Sequence, residues 1–154
     1  MMNLICSASI ANAIVKWFFM KIAIVKLSAL GDIVHAMIAL QFIKKHYQEA
    51  LIDWVVEEGF SGILDNNPHI NHLHRVNLQA VKQSKSLYLL WRELRKVRKF
   101  GKYDLVIDMQ GLVKSALVAR MIPSGITLGF EKTSLKENLA AIFYNKTYKI
   151  DYAE

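Results

Sequence analysis

Lys21-Ile22-Ala23-Ile24-Val25-Lys26-Leu27-Ser28-Ala29-Leu30-Gly31-Asp32-Ile33-Val34 is the stretch that decides the fold. Ile22 to Val25 is a short apolar run of the kind that forms a strand buried on both faces, and from Ile33 a helical spacing takes over. A strand that feeds a helix through a short turn is the opening of a βα unit. In open α/β sheets the crevice at the carboxyl ends of the strands is where ligands bind. Asp32 therefore falls where chemistry is expected, and it is the candidate catalytic residue.

Moving outward, Ile33, Val34, Met37, Leu40, Ile43 and Lys44 recur at intervals of three and four, which predicts a helix with one buried face. Leu51 to Val56 reads as the second strand, Gly59 to Leu64 as a short helix stopped by Asp65-Asn66-Asn67-Pro68, and His72 to Val76 as a third strand. Leu87, Leu90, Trp91, Leu94 and Val97 line one side of a predicted helix whose other side carries Arg92, Arg95, Lys96, Arg98 and Lys99, with Gly101 closing it. Tyr103 to Asp108 follows as a strand, and Leu105-Val106-Ile107 predicts cover on both faces. A helix from about Leu112 to Met121, a strand around Ile126 to Leu128, a helix from Leu135 to Phe143 and a strand from Thr147 to Ile150 complete the pass. Such βα repetition with short loops predicts a Rossmann-like, mostly parallel sheet with helices on both faces and right-handed crossovers.

Composition agrees with a folded domain. The chain has 154 residues, 53% of them hydrophobic and 21% charged, which is enough for one domain with a real core. The single cysteine, Cys6, excludes an intramolecular disulfide and a cysteine-based zinc site. A formal charge of +7 calls for an anionic partner without choosing among substrate, membrane surface and nucleic acid. Residues 1–19 are mildly apolar but are interrupted by Asn3, Asn12 and Lys16, so they make a poor transmembrane span and a poor signal peptide. They are expected to be an upstream leader or extension, with the folded domain running over 20–154. The sequence stops at Asp151-Tyr152-Ala153-Glu154, directly after a strand, and an open doubly wound half usually works against a second half. A further domain is the expectation.

The first turn has neither the glycine spacing of a dinucleotide site nor that of a P-loop. It offers Gly31, which allows close backbone approach, and then Asp32 at a helix amino terminus, where the dipole favours the ionised carboxylate. An ionised carboxylate can take a proton from an attacking hydroxyl. The plainer alternative is an aspartate that only caps the helix. In Asp108-Met109-Gln110-Gly111-Leu112-Val113-Lys114-Ser115, also just past a strand, Gln110, the Gly111 amide and the Ser115 hydroxyl are donors suited to a sugar or anion. Lys114 could offset a phosphate or carboxylate there. Glu57 and Glu58 read as a solvated loop rather than an acid/base pair. His69, His72 and His74 lack a carboxylate or cysteine at matching spacing, so no metal site is expected.

Three segments together carry a resemblance. Lys21 to His35, Asp53-Trp54-Val55-Val56-Glu57-Glu58-Gly59-Phe60, and Asp108 to Ala116 look like the amino-terminal half of the lipopolysaccharide heptosyltransferases, of type I more than type II, and Phe143-Tyr144-Asn145 fits as well. The resemblance implies the amino-terminal, acceptor-side half of an inverting GT-B glycosyltransferase. That enzyme moves L-glycero-D-manno-heptose from ADP-heptose to the Kdo sugar of lipid A. Asp32 matches the family's catalytic base, and Ser28, Gly31, Gln110, Gly111, Lys114 and Ser115 fall on the acceptor side. Arg92, Arg95 and Lys96 would meet Kdo carboxylates and lipid A phosphates. The donor's ADP belongs to a carboxyl-terminal nucleotide-sugar domain not contained in these residues, and no other cofactor and no nucleic acid are implied. The expected location is the cytoplasmic face of the inner membrane, peripherally bound. Two other classes compete. A receiver-like domain would need an acidic pair where Lys26-Leu27 stand, and a basic module for anionic lipid or nucleic acid rests on charge alone.

Overall fold

The computed structural model describes residues 19–131 and 137–148. Strand β1 (Lys21–Val25) leads into helix α1 (Leu30–His46), then β2 (Leu51–Glu57), a 3-10 turn (Glu58–Leu64) and β3 (His72–Val76). Helices α2 (Leu78–Ser84) and α3 (Leu87–Val97) precede β4 (Tyr103–Asp108), and α4 (Val113–Met121), β5 (Ser124–Phe130), a 3-10 turn (Asn138–Phe143) and β6 (Lys146–Tyr148) follow. The strands form one six-stranded sheet in the order β3-β2-β1-β4-β5-β6, and every pair is parallel. The order runs outward from β1 in one direction and then restarts at β4 in the other. That reversal leaves a crevice between the carboxyl ends of β1 and β4.

Alternation along the strands divides the core between the faces of the sheet. Ile22, Ile24, Ile52, Trp54 and Val56 pack with Ile33, Ala36 and Leu40 of α1. Ala23, Val25, Val55 and Val106 pack on the other side with Val97 of α3 and Val118, Ala119 and Ile122 of the α4 region. Helix α1 thus lies on one face, and α3 and α4 on the other.

Several expectations change. Helix α1 begins at Leu30 rather than Ile33, so Asp32 lies in its first turn and the cap position belongs to Ala29, which makes no side-chain cap bond. Val34 is exposed and Ala36 takes the buried place, because Val34 sits a full step around the helix from Ile33. Helix α2 is absent from the sequence reading, although Asn77 caps it by accepting from the Ala80 amide. Of the predicted apolar side of α3, only Val97 is buried, Leu87 and Trp91 are exposed, and Glu93 is buried instead. Gly101, at φ +115, shapes the turn before β4, since α3 has already ended at Val97. Leu105 and Ile107 are only half-buried: with Met20, Ile43, Tyr47 and Ile126 they line an apolar hollow of about 680 Å³ on the α1 face. The last predicted helix is a 3-10 turn where it is described, and its start, the end of the final strand and residues 1–18 lie outside the described residues.

At the amino-terminal ends of the strands, Asp53 is buried yet fully partnered. Tyr103 donates to its Oδ2 at 2.7 Å, His72 Nδ1 lies 3.1 Å from Oδ1, and Lys21 Nζ sits 3.6 Å away. His74 contacts the Tyr103 hydroxyl at 3.0 Å and stacks on Phe100 at 4.1 Å between ring centres. Burial pushes the Asp53 carboxyl up, but the bonds from His74, Tyr103 and His72 and the charge of Lys21 outweigh it and hold it well below the usual carboxylate range. His72 thus has a carboxylate after all, supplied by the neighbouring strand, and hydrogen-bonds it, while His74 lies 3.6 Å from the same group and bonds the Tyr103 hydroxyl.

Gly129 is tied to the fold by close approach, because a Cβ there would collide with the edge of the Tyr144 ring. Gly129→Ala is expected to displace that ring, break its 2.7 Å bond to Asp108 and cost about 1–3 kcal/mol, read as a lowered urea midpoint.

Candidate active site

Register places Val25 beside both Val55 and Asp108, so the turns that leave β1 and β4 emerge side by side. The β1 turn carries Lys26, Ser28, Gly31 and Asp32, and the β4 turn carries Gln110, Gly111, Lys114 and Ser115. Long-range hydrogen bonds join them. Gln110 Oε1 accepts from the amides of Leu27 at 2.8 Å and Ser28 at 3.0 Å, and its Nε2 donates to Ser28 Oγ at 3.1 Å.

Beneath this brace lies Asp108, fully buried at the end of β4. Its Oδ1 accepts from the amides of Gln110 at 2.8 Å and Gly111 at 3.3 Å, while its Oδ2 accepts from the hydroxyls of Ser115 at 2.9 Å and Tyr144 at 2.7 Å. Burial raises the Asp108 carboxyl above its ordinary range, although all of these donors pull it back. Gly111 adopts φ +72, which suits glycine and lets its amide face that carboxylate. The structure thereby corrects three expectations. The Gly111 amide and the Ser115 hydroxyl, read as ligand donors, are spent on Asp108, and Gln110 is spent on the β1 turn. A buried carboxylate must have its oxygens satisfied, and these are its nearest donors. These residues build the crevice rather than line it. Gln110→Ala would leave the Leu27 and Ser28 amides without an acceptor and is expected to cost about 2 kcal/mol, measurable by chemical denaturation.

Asp32 itself is open, with a side chain 62% exposed at the mouth of the crevice. Lys26, which sequence reasoning passed over, is almost wholly buried, and its ammonium donates to Asp32 Oδ2 at 3.4 Å. Trp54, in the core, donates from its indole to the Lys26 carbonyl at 3.2 Å and so pins this residue from below. An exposed carboxylate beside a fixed ammonium can accept a proton from a hydroxyl brought into the crevice. Gly31 leaves open space, since a Cβ there would meet nothing within 4 Å. Asp32 is therefore not a capping residue: no helix amide is bonded to it.

At the end of β2, Glu57 is buried rather than solvated and accepts from the Gln79 amide at 2.8 Å, which holds the start of α2. Burial raises its carboxyl, opposed by the α2 amides and by the charge of Lys114. Lys114 is exposed, and its charge acts on Glu57 near the crevice. Glu58 is exposed and accepts from Asn77 Nδ2 at 3.0 Å. Glu57, Glu58, Gln79 and Gln83 surround a polar hollow of about 350 Å³ between β2 and α2. Arg92, Arg95 and Lys96 are not brought to Asp32's helix. They stand exposed on α3, across the sheet from α1, with Arg92 and Lys96 each 3.8 Å from Glu93.

Fold and site define an open doubly wound α/β domain that presents an ionisable carboxylate at its topological switch point. Residues 88–154 match the model of glycosyltransferase family 9 (heptosyltransferase). Lipopolysaccharide heptosyltransferase 1 of Campylobacter coli is 49% identical over 135 residues, covering 88% of this chain and 38% of the relative. The Escherichia coli K12 protein of the same name is 32% identical over 85% of this chain and 42% of its own length. Among solved structures, the E. coli heptosyltransferase WaaC with ADP-2-deoxy-2-fluoro heptose superposes with a TM-score of 0.79 at 32% identity, over 88% of this chain and 44% of that one. The chain is thus similar, over most of its own length, to heptosyltransferases of glycosyltransferase family 9. It spans about two fifths of the length of the curated relatives it matches.

Proposed function

We propose that residues 20–154 are the acceptor-side domain of an inverting lipopolysaccharide heptosyltransferase of type I. The reaction is transfer of L-glycero-D-manno-heptose from ADP-heptose to the Kdo sugar of lipid A, at the cytoplasmic face of the inner membrane. The observation that carries the reading is the exposed Asp32 carboxylate at the β1/β4 switch point, with the Lys26 ammonium 3.4 Å away. In the proposed step Asp32 takes the proton of the Kdo hydroxyl as its oxygen bonds to the anomeric carbon from the face opposite the leaving group, and ADP departs with the electrons of the broken bond. Lys114 meets an acceptor carboxylate or phosphate, and Ser28 and Gly31 form the wall the acceptor approaches. The ADP portion of the donor is assigned, as the resemblance implies, to a carboxyl-terminal nucleotide-sugar domain. The bound ADP-sugar analogue of the E. coli neighbour supports ADP-heptose as donor.

The test is a chimera in which residues 20–154 replace the matching part of the C. coli relative. It is expected to move heptose from ADP-heptose to a Kdo-only lipid A acceptor. A folded chimera that binds ADP-heptose and transfers nothing, or that accepts only an already heptosylated lipid, would overturn the proposal.

A further inference from the structure

Helix α3 combines properties that neither the crevice nor the core uses. Its sequence, Leu87-Tyr88-Leu89-Leu90-Trp91-Arg92-Glu93-Leu94-Arg95-Lys96-Val97, turns Glu93 and Val97 inward and leaves Leu87 at 83%, Tyr88 at 66% and Trp91 at 54% exposure. Lys82, Lys85, Arg92, Arg95, Lys96, Arg98 and Lys99 are exposed around them. Between Leu78 and Lys102 the one acidic residue is Glu93, and it points into the protein, where its Oε2 accepts from the Asn77 amide at 3.1 Å. The exposed surface of this segment thus carries cations and large apolar side chains and no anion. Arg95 lies over the Trp91 ring at 5.0 Å, with Tyr88 beside it at 6.4 Å between centroids.

We infer that α3 is a docking helix for an anionic bilayer surface. Leu87, Tyr88 and Trp91 enter the interfacial layer, where tyrosine and tryptophan are favoured because one end of each ring is apolar and the other polar. The surrounding lysines and arginines meet lipid phosphates. Nucleic acid would satisfy the cations but leave Leu87 and Trp91 in water, so the pairing of both features selects lipid. No helix among the described residues is long and apolar enough to cross a membrane, so the contact is at the surface. The inference deepens the reading above by naming the face that reaches the membrane, and it is tested without any transfer assay.

The whole chain is sedimented with vesicles of phosphatidylethanolamine and phosphatidylglycerol, and with vesicles of phosphatidylcholine alone. Retention on the anionic vesicles is expected to exceed that on the neutral ones by about 10-fold or more. Leu87→Ser with Trp91→Ser, and separately Arg92→Glu with Arg95→Glu, should each remove most of it while circular dichroism stays unchanged. Ile38→Ser with Phe42→Ser, on the exposed side of α1, should leave retention as it was. Equal retention on both vesicle types, α3 variants that sediment like the parent, or loss on charge reversal alone would each overturn the inference. Loss of lipid binding would leave the crevice proposal standing, and failure of the chimera would leave this one standing.

Discussion

In the chimera, Asp32→Asn is expected to lower the rate of heptose transfer by about 1,000-fold, with little change in the KM for either substrate. Asparagine has nearly the same shape but cannot take the proton of the attacking hydroxyl, so the acceptor oxygen must attack as a neutral group. Its amide oxygen can still accept from the Lys26 ammonium, so the buried side chain keeps a hydrogen-bond partner. Asp32 itself is exposed and caps no helix, so the thermal midpoint should move little. That separation is the value of the experiment, since a rate loss without a stability loss is the signature of chemistry. A variant that transfers heptose at near the parent rate would remove Asp32 from the reaction, and a rise in KM alone would make it an acceptor-binding group. Lys26→Met gives the complementary result: if the ammonium orients the carboxylate, the rate falls by a smaller factor, and Lys26→Arg restores part of it.

The second large effect concerns stability. Asp53→Ala should cost about 3 kcal/mol, because it leaves the Tyr103 hydroxyl and Lys21 without the carboxylate they share, and removing one partner of a buried charged set costs about 3–5 kcal/mol. The lower figure applies because the His72 side chain is 72% exposed and regains water. For a domain of this size the thermal midpoint should fall by roughly 6–12 °C. The pH dependence has a definite sign. The folded Asp53 carboxyl lies below its unfolded value, so its contribution is complete above the unfolded carboxylate range, near about pH 4, and is lost as pH falls toward the folded value. Asp108 and Glu57 are shifted upward and carry the opposite sign, but they are common to both proteins and cancel in the comparison. The gap in stability between parent and variant should therefore be constant from neutral pH down to about pH 5 and narrow below about pH 4. A gap that is constant to pH 2 would mean that packing, and not charge, gives Asp53 its importance.

Much of this molecule was legible in one dimension. The βα alternation from Ile22 to Leu128 was readable because burial in a parallel sheet and along a helix imposes local periods, and those periods survive in the residue order. The place of Asp32 was readable for the same reason, since a carboxylate just past a first strand can only fall at the sheet's carboxyl edge. The Asp108 to Ser115 segment was found, but its chemistry was misassigned. Nothing local tells that the Ser115 hydroxyl and the Gly111 amide turn inward to a buried carboxylate, or that Tyr144 comes from far along the chain to join them. Likewise Leu87 and Trp91 had the spacing of a buried stripe, yet α3 turns Glu93 and Val97 inward, and the periodic pattern alone does not say which phase of the helix faces inward.

The sequence by itself determined the class of fold, the order of its elements and the position of the candidate base, because each follows from short-range spacing and from where apolar side chains can go. Only the tertiary structure decided which polar groups are free to act. Lys26 meets Asp32 because Trp54 anchors the first turn from the core, and Gln110 is withdrawn from any ligand because it satisfies amides 83 and 82 residues away. Asp53 is an ionised group in the interior because strands distant in the chain bring Lys21, His72 and Tyr103 around it. Hydrogen bonding is settled by distance and burial in three dimensions, and a donor's partner is fixed by which neighbour would otherwise go unsatisfied.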